Sequence, residues 1–394
     1  MSEGNNLITE LGKMKTRKEI VEVATKYYKE LYSESEGERV NENLKYGSNN
    51  EEYIPPILED EVENAINSLK KEKIPGPDGI SGELIKSLKS SLTPIITDLL
   101  NEIIEKRETP ERWEEAEIRI LFKKGERTDI ANYRPINLTQ VMDKIFTKII
   151  KSRLYNQLGQ NRGAEQAGFR KNYLTVDHIF TLEQLIEKAN EYDIEVYLLF
   201  IDFSKAFDSV RHNYLWQAMA NQGVSNEWIE IIKKGYEKAK AYVKTDVKGS
   251  TFEIKRGVKQ GDPLAPNLFN CVLEEIFRKL DWEEKERGIK INGKLLNNLR
   301  FADDVILIGK TKEELQEMTE TFAKKSKEAG LISNIGKCKL MGNRKNSIEE
   351  KIKIKIEGEV IEEVDAYKYL GKRVSFKEGM EKELKERRKL AWNS

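Results

Sequence analysis

Apolar residues recur along the chain in two rhythms, one near 3.6 residues and one near 2. Ile20, Val23, Ala24, Tyr27, Tyr28 and Leu31 share a helical face, and so do Val62, Ile66 and Leu69. Further amphipathic helices are predicted over 83–106, broken near Pro94, and over 141–154, 176–186, 267–280 and 312–329. A charged helix is expected from Glu378. Residues 195–203 form a continuous apolar run ending around Asp202, the mark of a buried strand. Shorter strands are expected over 117–122, 241–245, 251–255, 299–301 and 305–308, near 339, and over 351–356 and 360–364. Polar stretches at 33–50, 123–133 and 256–266, and the turn-rich Ile74-Pro-Gly-Pro-Asp-Gly79, separate these elements. Strands and helices mix without strict alternation, so the fold class is α+β.

The runs 299–301 and 305–308 hinge on Asp303 and Asp304, giving a β-hairpin with two carboxylates at its turn. Hairpin turns favour Gly or Asn for backbone geometry. Two adjacent acids gain little as a plain turn, and a metal site explains them better. Asp202 closes a buried strand, where an unpaired carboxylate is costly. If the two elements are sheet neighbours, three carboxylates converge. Like charges about 4 Å apart repel by roughly 4 kcal/mol at an effective dielectric near 20, so such a cluster calls for a cation. Oxygen-only donors favour Mg²⁺ or Mn²⁺ over Zn²⁺.

Composition narrows the classes. Charged residues make up 35% and the mean hydropathy is −0.65. No apolar run reaches the ~20 residues of a membrane span. Two cysteines, Cys271 and Cys338, and two histidines, His178 and His212, exclude a disulfide framework, a Cys-based zinc finger and a His-rich metal cluster. The formal charge is zero, yet residues 1–65 carry 15 acidic against 8 basic side chains, so the remainder sums to +7. Lys144, Lys148, Lys151, Arg153, Arg162, Arg170 and Lys171 form a basic stripe that suits either a phosphate backbone or a solvated helix face.

Seven motifs in order then resemble one family. Phe200-Ile-Asp-Phe-Ser-Lys-Ala-Phe-Asp-Ser-Val210, Gly257-Val-Lys-Gln-Gly-Asp-Pro-Leu-Ala-Pro266 and Phe301-Ala-Asp-Asp304 resemble motifs A, B and C of reverse transcriptases. Tyr133-Arg-Pro-Ile-Asn-Leu138 and Gln166-Ala-Gly-Phe-Arg-Lys171 resemble its fingers motifs. Gly330-Leu-Ile-Ser-Asn-Ile-Gly-Lys337 resembles motif D, and Tyr369-Leu-Gly371 the primer grip. Gly76-Pro-Asp-Gly79 resembles the N-terminal extension of non-LTR retrotransposon enzymes, with the motif style nearest to the RTE-like clade. Phe301 stands where many reverse transcriptases have Tyr, a variation the non-LTR enzymes share.

The resemblance implies a right-hand polymerase of fingers, palm and partial thumb, with an antiparallel palm sheet packed on helices. It implies an RNA-directed DNA polymerase that extends a DNA primer on an RNA template with dNTPs, using two Mg²⁺ ions, Mn²⁺ being the alternative. Asp202, Asp303, Asp304 and the Phe203 carbonyl are the implied metal ligands. Lys337 is the implied general acid, with Lys339 a close neighbour. Lys123 or Lys124 and Arg134 would hold the triphosphate, and Gln260 and Gly261 the nucleotide. Phe207 would exclude a 2′-hydroxyl or else be a core aromatic. Gly168, Phe169 and Arg170 would meet template, unless Arg170 pairs with a local carboxylate. Tyr369, Leu370 and Gly371 would meet primer, unless Tyr369 packs on the palm.

The expected organisation is a helical lead-in or linker over 1–58, extension and fingers over 59–190, palm with interleaved fingers segments to the primer grip over 191–375, and the start of a thumb helix over 376–394. Little chain is left for a full thumb and none for an RNase H domain. The product of a eukaryotic retrotransposon would work inside the cell, in nucleus and cytoplasm, without a membrane. Two other readings stay open: a group II intron or bacterial-type enzyme, and a nucleic-acid-binding protein on a non-catalytic polymerase scaffold.

Overall fold

A computed structural model describes residues 16–34, 53–160, 163–170, 172–343 and 353–377, with 384–385, 388–389 and 391–392. Arg162, Lys171, most of 33–50 and most of the expected thumb helix lie outside these residues. The fold is α+β, and it divides into two compact units. One combines the chain up to 161 with 207–272; the other combines 162–206 with the chain from 273 onward. Each unit is built from segments far apart in sequence. Among the described residues no helix is long and apolar enough to cross a membrane.

The first unit is organised on a four-stranded sheet in the order Tyr133–Leu138, Glu115–Phe122, Lys240–Val243, Phe252–Glu253. The first pair is an antiparallel hairpin, while Glu115–Phe122 and Lys240–Val243 run parallel. Helix Arg17–Leu31 starts at a capping box, in which Thr16 Oγ1 accepts from Glu19 N and Thr16 N donates to Glu19 Oε2. Its buried stripe is Ile20, Val21, Ala24, Thr25 and Tyr28, with Val21 rather than Val23 facing inward. Ala24, Tyr28 and Tyr32 join Ala116, Ile118, Ala241, Val243 and Phe252 in one core. The acidic lead-in is therefore a packed part of this unit. The predicted helix over 83–106 is two helices, Gly82–Ser87 and Lys89–Lys106, parted at Leu88; Pro94 is accommodated inside the second.

The second unit carries a five-stranded sheet in the order Glu362–Glu363, Lys339–Gly342, Tyr197–Ile201, Asp304–Gly309, Asn298–Phe301. Only the Glu362–Glu363 edge runs parallel to its neighbour. All five residues of Tyr197–Ile201 are buried, as a central strand covered on both faces requires. Leu198, Phe200, Ile306 and Ile308 pack with Leu182, Leu185, Ile186 and Ala189 of helix Thr175–Glu191. Helix Lys312–Glu328 also packs on these strands and brings the Phe322 ring to 6.1 Å from Phe203.

His178 is buried and His212 part-buried, and desolvation is the main cause that depresses both to about 4. A base depressed in the folded state binds its proton first in the unfolded chain, so native stability falls as pH drops from about 6.5 toward 4. Urea unfolding of His178→Gln beside the unmodified chain is expected to show a weaker loss of stability across that window. Equal pH dependence of the two would refute the assignment.

Candidate active site

Backbone register assembles an acidic end on the second unit's sheet. Tyr197–Ile201 and Asp304–Gly309 pair with Ile201 opposite Val305, so one further step sets Asp202 opposite Asp304. Phe301 pairs with Asp304, which leaves Ala302 and Asp303 as a two-residue turn. Ala302 sits at φ 57°, a left-handed conformation that costs a non-glycine residue energy. A neighbouring segment holds it there. Arg300 N donates to Glu165 O at 2.8 Å, and Ala167 N donates to Arg300 O at 2.9 Å. The Gln166 Oε1, almost fully buried, accepts from Ala302 N at 3.2 Å and from Gly168 N at 2.9 Å. A Cβ on Gly168 would lie 2.0 Å from Ala302 N, so glycine alone permits this approach.

A second loop braces Asp202. Asn334 N donates to Asp202 O at 2.7 Å and Ser204 N to Ile332 O at 2.9 Å, on either side of a Phe203–Ser333 bridge. That bridge uses the Asp202 carbonyl and leaves the Phe203 carbonyl out of its bonds. Lys337 Nζ reaches Asp202 Oδ2 at 3.5 Å, whereas Lys339 turns to Glu362 at 2.8 Å. Position thus favours Lys337 over its neighbour. Burial first, then Asp304 and Asp202, pushes the Tyr367 hydroxyl up to about 12, so both carboxylates bear on one group.

Among the described residues no three His, Cys, Asp or Glu side chains are gathered closely enough to hold an ion. The backbone brings Asp202, Asp303 and Asp304 to one sheet end, and Lys337 stands beside Asp202. The donor chemistry still fits a hard divalent cation. The set is all oxygen, Asp303 is part-exposed and Asp304 exposed, and the Asp202 side chain is 31% exposed.

Two of the residues expected at template and primer make intramolecular contacts. The Arg170 guanidinium donates to Gly163 O at 2.9 Å and Gln166 O at 3.2 Å and lies 4.1 Å from the Tyr173 ring centre. It braces its own loop and stays part-exposed. Phe169 beside it is exposed at φ 60°. Tyr369 is buried in the core cluster, its hydroxyl 3.5 Å from His178 Nδ1, so it packs under the sheet and not toward primer. Leu370 at φ 46° and Gly371 at φ 87° form the turn between Tyr367–Tyr369 and Lys372–Val374.

The first unit holds the other candidates. Leu121 pairs with Arg134, and Lys123 N donates to Asn132 O at 3.0 Å, continuing the ladder. Lys123 and Arg134 therefore share one face of the hairpin, both exposed, while Lys124 falls at the opposite parity. The Phe207 ring, part-buried, stacks on Phe269 with centroids 4.5 Å apart, and its carbonyl accepts from Val258 N at 2.7 Å. Gln260 O accepts from Asn137 N at 2.8 Å, and Gly261 at φ 115° lies so close that a Cβ would meet Asn137 O at 2.7 Å. Asp208 accepts from Gln260 Nε2 and from the Tyr32 hydroxyl, each at 2.7 Å.

Comparison with known proteins settles the family. The model for "Reverse transcriptase (RNA-dependent DNA polymerase)" matches residues 122–374, well over half the chain. The chain belongs to the reverse transcriptase family. It is 27% identical over 328 residues to the retrovirus-related Pol polyprotein from type-1 retrotransposable element R2 of Nasonia vitripennis, covering 80% of this chain and 31% of that one. It is 28% identical to the Pol polyprotein from type-2 retrotransposable element R2DM of Drosophila melanogaster, covering 68% and 25%. To the RNA-directed DNA polymerase from mobile element jockey of the same fly it is 26% identical, covering 81% and 35%. These relatives are of the non-LTR kind, and the chain spans between a quarter and about a third of their lengths.

Sequence reasoning assigned no role to Gln166, Asp208, Tyr32 or Asn137. Gln166, Asp208 and Asn137 stood inside quoted motifs, and extending Ile20, Ala24 and Tyr28 by another four residues reaches Tyr32. The basic stripe has a structural counterpart in the first unit: a groove of about 1060 Å³ lined by Lys70, Lys73, Lys144, Lys148 and Lys151 together with Ile74, Pro75 and Gly261. Burial, then the charges of Lys86, Lys151, Lys70 and Lys144, depress Lys148 to about 8. Replacing Gly168 with Ala should loosen the Asp303 turn. Amide exchange at Ala302 is expected to quicken at least tenfold, and unchanged exchange would rule out the Gly168 support.

Proposed function

We propose that this chain is the polymerase portion of a non-LTR retrotransposon product, an RNA-directed DNA polymerase that extends a DNA primer on an RNA template with dNTPs. The observation that carries the reading is the register that sets Asp202 opposite Asp304, beside Asp303, in a chain of the reverse transcriptase family. Asp202, Asp303 and Asp304, with the Phe203 carbonyl, would hold two Mg²⁺ ions, or Mn²⁺. When bound, such ions lower the pKa of the attacking primer hydroxyl and stabilise charge on the leaving pyrophosphate.

The remaining roles belong to side chains. Lys337, presented beside Asp202, is the proton donor to pyrophosphate. Arg134 grips phosphate through its planar fork and Lys123 adds a point charge on the same hairpin face. Phe207, fixed against Phe269, is the wall that a ribonucleotide's 2′-hydroxyl would meet. Gln260 and Gly261 present a pinned main chain and one amide to the nucleotide. The lysine groove of the first unit suits template phosphates, which would relieve its own like-charge crowding.

Primer extension on an RNA template with Mg²⁺ and dNTPs tests the reading. Asp303→Asn is expected to reduce incorporation at least a thousandfold while primer–template affinity stays within threefold; retained synthesis would sink the assignment. Lys148→Ala should lower the slope of log affinity against log salt by roughly 0.7, the value for one phosphate contact on a single strand. An unaltered slope would place the template elsewhere.

A further inference from the structure

Asp208 is fully buried, 0% exposed, and both of its oxygens accept hydrogen bonds. Tyr32 donates its hydroxyl to Oδ1 at 2.7 Å, and Gln260 donates Nε2 to Oδ2 at 2.7 Å. Burial, then Asp208, pushes the Tyr32 hydroxyl well above its usual range, so it stays a donor. The one-turn helix Ala206–Ser209 is also clasped through its main chain. Gly257 N donates to Val210 O and Val258 N to Phe207 O, both at 2.7 Å. A Cβ on Gly257 would meet the Asp208 carbonyl at 2.7 Å. The helix and the 257–261 loop therefore hold each other without Asp208's side chain.

What that side chain adds is direction. The Gln260 main chain is already fixed by Asn137 N on its carbonyl and by the tight approach of Gly261 to Asn137. One freedom remains, the end-for-end flip of the side-chain amide. An amide carries donors at one end and an acceptor at the other, and a carboxylate only accepts. We propose that Asp208, oriented by Tyr32, is a positioning residue that fixes the amide polarity of Gln260, so that the loop offers an acceptor to a donor group of the bound nucleotide. The opposite polarity would set a carbonyl oxygen against a carboxylate oxygen at hydrogen-bond distance in a buried site, which is repulsive. The inference rests on Gln260 being a nucleotide contact.

A polarity swap tests it in the full chain by primer extension. Gln260→Glu places carboxylate against carboxylate and is expected to raise the dNTP KM at least tenfold, with primer–template affinity unchanged. Adding Asp208→Asn restores a donor–acceptor pair by supplying an N–H to the introduced carboxylate, and should recover at least fivefold of that loss. A purely structural Asp208 gives costs that accumulate instead. A double variant no better than Gln260→Glu, or a Gln260→Glu chain with unchanged KM, overturns the inference. If Gln260→Glu does not fold, recovery of a cooperative melt on adding Asp208→Asn supports the contact, and failure to recover rejects it. Absence of extension by the unmodified chain would instead defeat the polymerase reading.

Discussion

The pairing of Ile201 with Val305 is the constraint on which the second unit depends. Side chains alternate between sheet faces, so a one-residue slip would send Leu198 and Phe200 to the wrong face. The hydrophobic contacts of these residues with Leu182, Leu185 and Ile186 therefore pin the register. The same register decides which residue follows the strand opposite Asp304. Packing, which is indifferent to charge, thus places two acids side by side at the sheet end. The Asp303 turn needs more than packing, because Ala302 at φ 57° is unfavourable by itself. Gln166 supplies what is missing, one side-chain oxygen shared by two main-chain amides.

Much of this was legible in the sequence where periodicity and position along one element carry the information. The hairpin over 298–309, the buried strand before Asp202 and the hairpin of Glu115–Phe122 with Tyr133–Leu138 all follow from local pattern. What was not legible depends on contacts between distant segments. Helix Arg17–Leu31 reads as a lead-in because its partners, Ala116 and Ala241, lie far along the chain. Charge and motif mark Arg170 as a phosphate contact, and they do not show that its guanidinium also holds the carbonyls of Gly163 and Gln166. Tyr369 shares strand parity with Tyr367, and only the tertiary neighbours His178 and Phe200 show that it points inward. Backbone position was readable for the acids; side-chain direction was not.

The two units show the same electrostatic condition with opposite signs. At the sheet end, Asp202, Asp303 and Asp304 crowd along the backbone, and Lys337 engages one of them at 3.5 Å. A part-exposed pair of that kind is worth at most about 1 kcal/mol. Holding a further like charge about 4 Å away costs roughly 4 kcal/mol. One lysine therefore cannot offset three carboxylates carried to one sheet end, whereas an added divalent cation would. In the first unit Lys70, Lys144, Lys148 and Lys151 crowd along a groove, and Lys148 drops to about 8. The acidic sheet end of the second unit suits added cations and the lysine-lined groove of the first suits added phosphates, as the proposed reaction requires.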